Sequence, residues 1–292
     1  MADPTRAPGL VPRGTDVRLF AALHRRHVEA ERPPPPWDAL RVDDLDDRAR
    51  ALLRAAWASR TVAEYRSMVV FGELLARLPE AGLPLEVSCA ATRLIRDEAR
   101  HTEYCARLAE ALGGADEARV DPADLRLDDG TLSAELFVAR WTVGMFCVGE
   151  AASVGLLQAL VREARDPCVS AVLATLLRDE ALHDRFGWAL AEAVVPRLSA
   201  EAREWLGADL AMVLSHYDRT NGHGMRPDGA DLPPDDPRDE AYPGATHGVV
   251  APARFARAWY DRLDRVILPG LDALGLPAYE AWALRHEAGD QP

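Results

Sequence analysis

Arg96-Asp97-Glu98-Ala99-Arg100-His101 decides the fold, because it recurs as Arg178-Asp179-Glu180-Ala181-Leu182-His183. Both stretches contain Asp-Glu-x-x-His. On a helix, a Glu and a His three apart lie on one face, one turn apart, and can grip one metal ion. With 20 Glu and 8 His in 292 residues, chance alone supplies about half a Glu-x-x-His. One copy would read as a surface His beside its Glu. Two copies, each preceded by Asp and carried on alternate long helices, read as a metal-binding pair.

Punctuation outward from these stretches gives the helices. The first motif lies on a helix opened by Pro84 and stopped by Gly113-Gly114, and the second on a helix from Asp166-Pro167 to about Val195. Before them run helical patterns from about Asp46 to Leu78 and from Thr131 or Ser133 to about Arg165. No strand-period segment of useful length and no solenoid repeat occurs. The expectation is an all-α four-helix bundle over 46–196. A short helix near 16–31 and a Pro33–Pro36 linker precede it, within 1–45. Over 197–292, Ser199 opens a helix to about Thr220, Pro252 opens another to about Leu274, and a helical tail follows Pro277. The Gly-, Pro- and Asp-rich loop 221–250 in that part is expected to pack on the bundle, as a lid or as a disordered segment.

A dinuclear site in such a bundle needs one further carboxylate from each preceding helix. Glu64 stands 34 residues before Glu98, and Glu150 stands 30 before Glu180. Both separations suit an antiparallel hairpin that brings its arms to one depth. Glu64 sits in an apolar stripe with Trp57, Met68, Phe71 and Leu75, whereas its rival Glu73 lies off that face. Glu150 sits among Phe146, Cys147, Ser153, Val154 and Leu157. Four carboxylates converging in an apolar core repel one another. Two divalent cations cancel their charge, and two neutral imidazoles complete the set. The predicted ligands are therefore Glu64, Glu98, His101, Glu150, Glu180 and His183. Gly144, Gly149 and Gly155 on the third bundle helix point either to close packing or to a π-bulge beside Glu150.

This ligand pattern resembles the ferritin-like di-iron carboxylate superfamily, whose arrangement of two Glu and two Glu-x-x-His motifs it reproduces over residues 46–196. The Asp-Glu-x-Arg-His form of the first motif is similar to the oxygen-activating branch: monooxygenase hydroxylases, acyl-carrier-protein desaturases, ribonucleotide reductase small subunits and arylamine N-oxygenases. The resemblance implies Asp97 and Asp179 as acceptors for the ring N–H groups of His183 and His101, with Arg100 beside them. Leu182 replaces the second Arg. Cys105 stands where reductase subunits carry a radical tyrosine, with Tyr104 one residue short, so a tyrosyl-radical subunit is not expected. Leu176 stands where N-oxygenases carry an extra His.

The resemblance implies two iron ions cycling between Fe2+ and Fe3+, with manganese also accepted by the ligands, and O2 as co-substrate. The expected reaction is hydroxylation, N-oxygenation or desaturation of a small or carrier-bound metabolite. Expected pocket walls, one or two turns from the ligands, are Met68, Phe71, Cys105, Phe146, Val154, Leu176 and Phe186. The loop at 221–250 offers His223 and His247. No Cys-x-x-Cys cluster and no Gly-x-Gly-x-x-Gly fingerprint is present, so electrons are expected from a separate reductase or ferredoxin. The alternatives are peroxide decomposition at two manganese or two iron ions, and ferroxidase or iron-binding work. A homodimer is compatible with either.

Composition limits the other classes. The formal charge of -13, with 47 acidic against 34 basic residues, argues against a nucleic-acid partner. The 141–161 segment is apolar apart from Glu150, and a lone Glu at mid-bilayer costs roughly 2 kcal/mol or more, so a buried core helix is expected and no membrane. Cys89, Cys105, Cys147 and Cys168 form no Cys-x-x-Cys pair, and with no secretory signal they read as reduced thiols of a cytoplasmic protein.

Overall fold

The computed structural model describes residues 33–114, 117, 118, 120, 125, 127, 132–222 and 242–288. The protein is all-α, with no strand among the described residues. The helix expected near 16–31, most of the 221–250 loop and His223 lie outside the described residues.

Helices begin where the sequence offers a cap. The Asp46 carboxylate accepts from the Ala49 amide at 2.7 Å and starts α1 (Asp47–Arg77). Pro84 opens α2 (Leu85–Ala111), which stops where Gly113 takes a left-handed φ of 85°. Ser133 caps α3 (Ala134–Glu163). Asp166 accepts from the Cys168 and Val169 amides at 2.9 and 3.0 Å to start α4 (Pro167–Val194), with Pro167 at the first position, where no N–H is needed. Ser199 caps α5 (Ala200–Tyr217), which ends in a π turn, Asp218–Gly222. Pro252 starts α6, running as Pro252–Arg262, a π segment Leu263–Ile267, and Leu268–Ala273; α7 is Ala278–Ala288.

Helix α1 packs along α2, α3 against α4 and α6, and α5 against α7. By length and composition α3 could cross a membrane, yet most of its apolar window is buried inside the protein. The middle of α3, Thr142–Glu150, is π-helical and ends on Glu150. Both readings of its glycines apply. A Cβ on Gly149 would stand 2.4 Å from the Tyr217 hydroxyl, and one on Gly155 would stand 2.4 Å from Arg262 Cγ.

The core forms two apolar clusters. One holds Val70, Phe71, Leu94, Phe146, Leu190 and Val194. The other holds Leu53, Trp57, Cys105, Leu108, Leu160 and Leu173. Along α1, α2 and α4 the residues near Glu64, Glu98–His101 and Glu180–His183 fall between the two, so each of these helices changes from core to polar and back at one level.

Closeness of α3 to α4 depends on Gly187, whose added Cβ would lie 2.1 Å from Phe146 Cβ and 3.2 Å from Phe146 Cα. Gly187→Ala should therefore lower stability by about 1–3 kcal/mol, as overpacking does. Gly72, with nothing within 4 Å of an added Cβ, should gain about 0.5–1 kcal/mol as Gly72→Ala from helix propensity. Urea midpoints of the two variants measure the contrast.

Candidate metal centre

Six side chains from four helices meet between the clusters. Glu98, His101, Glu150, Glu180 and His183 are buried, and the Glu64 side chain is 14% exposed. His101 Nδ1 lies 3.4 Å from Glu64 Oε2, 3.7 Å from Glu98 Oε1 and 3.2 Å from Glu180 Oε1. His183 Nδ1 lies 3.1 Å from Glu98 Oε1, 3.2 Å from Glu180 Oε2 and 4.0 Å from Glu150 Oε2. The side chains thus form two overlapping quartets, Glu64-Glu98-His101-Glu180 and Glu98-Glu150-Glu180-His183, each with its ligand atoms within 4.8 Å of one another. Glu98 and Glu180 belong to both. Glu73 is exposed on α1.

Electrostatics without cations is strained. Burial and the charge of Glu180 push Glu98 up to about 8. The same two causes carry Glu150 well above the ordinary carboxylate range. Glu180 moves the other way: burial is outweighed by its contacts with Glu150 and the two imidazoles. Both histidines are held well above their ordinary value, burial being overcome by the surrounding carboxylates. Protons here occupy the place that cations would take, and metal uptake would release them.

Despite this crowding, Glu98 Oε1 and Oε2, Glu180 Oε2, His101 Nδ1 and both ring nitrogens of His183 make no hydrogen bond among the described residues. The Nδ1 atoms face carboxylate oxygens at contact distance but out of hydrogen-bond alignment. Buried lone pairs left this way cost about 1–3 kcal/mol each. A donor set of four carboxylates and two imidazoles suits divalent first-row ions, so the residues present fit a metal pair.

An outer ring of charge stands behind the imidazoles. His101 Nε2 lies 3.4 Å from Asp179 Oδ2, and His183 Nε2 lies 3.8 Å from Asp97 Oδ2. Arg100, fully buried, donates through Nη1 to Asp97 Oδ1 at 2.8 Å and to Asp179 Oδ2 at 3.3 Å. Arg93 Nε reaches Asp97 Oδ2 at 2.8 Å. Burial opposes the charge on Asp97, but His183, Arg93 and Arg100 outweigh it and keep this carboxyl well below its usual range. Each imidazole therefore turns Nε2 toward an Asp and Nδ1 toward the glutamates.

A cavity of about 590 Å³ reaches this cluster from the α1–α3 side, and Glu64, Glu150 and Glu180 form part of its wall. Its other walls include Ser67, Val70, Leu127, Trp141, Met145 and Tyr217. None of Met68, Phe71, Cys105, Phe146, Val154, Leu176 and Phe186 lines it. Phe71 stacks on Phe146 at 4.6 Å and stands edge-on to His183 at 5.9 Å, Phe186 meets Phe146 at 5.5 Å, and Cys105 and Leu176 belong to the second apolar cluster. Those seven residues lie one or two turns from the ligands, as spacing requires. Helical spacing alone does not say which side of the bundle is hollow. His247 turns away from the cluster, with Nε2 2.7 Å from the Arg41 carbonyl.

Tyr217 was not legible as a site residue. It arrives from α5, its hydroxyl fills the space above Gly149, and its ring stacks on Trp259 at 6.1 Å. Burial, then the Glu150 charge, pushes its phenol upward, so it stays protonated beside the cavity. The glycine one residue before a buried Glu was the available signal.

Compared with protein-family models, curated proteins and solved structures, the chain matches none.

Asp179→Asn, which removes the partner of His101 Nε2, should weaken metal binding about 10–100-fold, the usual cost of losing an imidazole's outer partner. Arg178→Gln, on the exposed side of the same motif, should leave affinity unchanged. Competition against a chromogenic chelator reads both.

Proposed function

We propose that this protein is an O2-activating non-haem di-iron oxidase or oxygenase built on a ferritin-like four-helix bundle. The observation that carries the reading is the pair of overlapping quartets, with three of their carboxylates exposed to one cavity. Glu98 and Glu180 would be shared between two ions, Glu64 and His101 would complete one site, and Glu150 and His183 the other. When bound, such a pair of ions supplies the two electrons that O2 reduction requires.

The chain's own residues do the rest. The four carboxylates would hold negative charge where two cations would sit. Asp179, tied to Asp97 through Arg100, keeps the His101 imidazole in one orientation. Phe71 and Phe146 close the site from below and exclude water. Tyr217 holds a proton on its phenol at the cavity wall, where it can donate a hydrogen bond to a bound substrate. A cavity of about 590 Å³ is in the range of small-molecule sites, which favours oxidation of an organic substrate over iron storage or peroxide removal. On this reading electrons arrive from a separate reductase or ferredoxin in the cytoplasm.

An oxygen electrode tests it. Protein loaded anaerobically with ferrous iron should consume about one O2 per pair of ions and then stop until a reductant is added. Continued uptake of iron beyond two ions per chain would mark a storage protein, and O2 evolution from peroxide without reductant would mark a catalase. Either outcome contradicts the proposal.

A further inference from the structure

A second, smaller cavity of about 260 Å³ lies on the same α1–α3 side. On α1 its walls are Leu52, Ala56 and Arg60, and the larger cavity continues along that helix with Glu64, Ser67 and Val70. These positions follow one another at three or four residues and so share one face. On α3, Leu160 lines the smaller cavity, and Leu156, Ser153 and Gly149 line the larger. The α5 terminus contributes Thr220 to one and Asn221 to the other. The two hollows therefore succeed each other along a single seam, with the 19 residues of α1 from Leu52 to Val70 covering about 27 Å.

Apolar side chains dominate the smaller cavity: Ala56, Leu160, Val249, Val250 and Phe255. Arg60 is the charged residue in its wall. Its guanidinium is held firmly from one side. The group lies 4.5 Å from the Trp57 ring centre, and Nη2 donates to the Gly248 carbonyl at 2.9 Å. Gly248, at φ 98°, leaves no room for a side chain, since a Cβ there would meet Trp57 at 2.6 Å. Nη1, in contrast, is buried and makes no hydrogen bond among the described residues. Burial works against the Arg60 charge and outweighs the support it gets from Cys105 and Glu64. A guanidinium anchored from one side at the wall of an apolar hollow, with a donor still unsatisfied, is matched by a carboxylate, which accepts from such a fork at charge-assisted strength.

We infer that the seam binds an elongated aliphatic monocarboxylate, its acid group against Arg60 in the smaller hollow and its chain running past Glu64, Glu150 and Glu180 into the larger one. The length of the seam, the apolar walls of the smaller hollow and the Val70, Leu127, Met145 and Leu156 side of the larger one fit a linear chain. Arg60 precedes Glu64 by one helical turn, about 6 Å along α1, so the part of the chain nearest the carboxylates lies close to the acid end. This rests on the oxygenase reading for what happens to the chain, and on the cavities and Arg60 alone for its binding.

Decanoate and decanol, titrated calorimetrically into the zinc-loaded full chain, test it. Decanoate should bind one per chain, at least tenfold more tightly than decanol. Arg60→Gln should abolish that preference, and Leu156→Trp, which fills the larger hollow, should weaken both ligands. Equal binding of acid and alcohol, a preference that survives Arg60→Gln, or indifference to Leu156→Trp would each overturn the inference. Metal content of the same samples separates the two proposals. Fewer than two ions per chain with the decanoate pattern intact would sink the di-iron reading alone, and two ions without the pattern would sink only this one.

Discussion

Four glutamates converging between two apolar clusters are the constraint from which the rest of this structure follows. Like charges whose oxygens lie within 4.8 Å of one another in low dielectric cannot all ionise together, and the protein has no lysine to relieve Glu98, Glu150 and Glu180. Instead it places a ring nitrogen of His101 or His183 within 4.0 Å of each of them. Arginine is present, but one layer out, where Arg100 and Arg93 neutralise Asp97 and Asp179. The inner layer keeps donors that cations could fill, and the outer layer is already balanced by its arginines.

Packing around the cluster serves the same end. The π segment of α3 terminates on Glu150, and the absence of side chains at Gly149 and Gly187 lets Tyr217 and Phe146 approach to distances no Cβ would allow. A tight floor of aromatic rings on one side and a hollow seam on the other give the carboxylates one dry face and one open face.

Much of this was readable from the chain. Caps and breakers at Asp46, Pro84, Ser133, Asp166 and Ser199 set the helix starts, because capping is a local interaction between neighbours in sequence. The six ligand candidates were readable because helical spacing and hairpin length fix depth without knowledge of the partner. The cavity was not. Whether a residue such as Phe71 or Leu156 faces packed core or open space depends on what the neighbouring helix contributes, and period alone cannot distinguish the two. Tyr217 and Arg60 were missed for a related reason: each acquires its meaning from a contact 68 or 188 residues distant, with Gly149 and Gly248 respectively. Glycines in a helix or after a loop were the only local trace of those contacts.

Metal stoichiometry in ligand variants tests the central claim most directly, because the two quartets share Glu98 and do not share Glu64. Elemental analysis after equilibrium dialysis against cobalt(II) should find two ions per chain in the wild type, one in Glu64→Ala and none in Glu98→Ala, with all three proteins folded by circular dichroism. Zero or one ion in the wild type, or two ions retained in folded Glu98→Ala, would contradict the account.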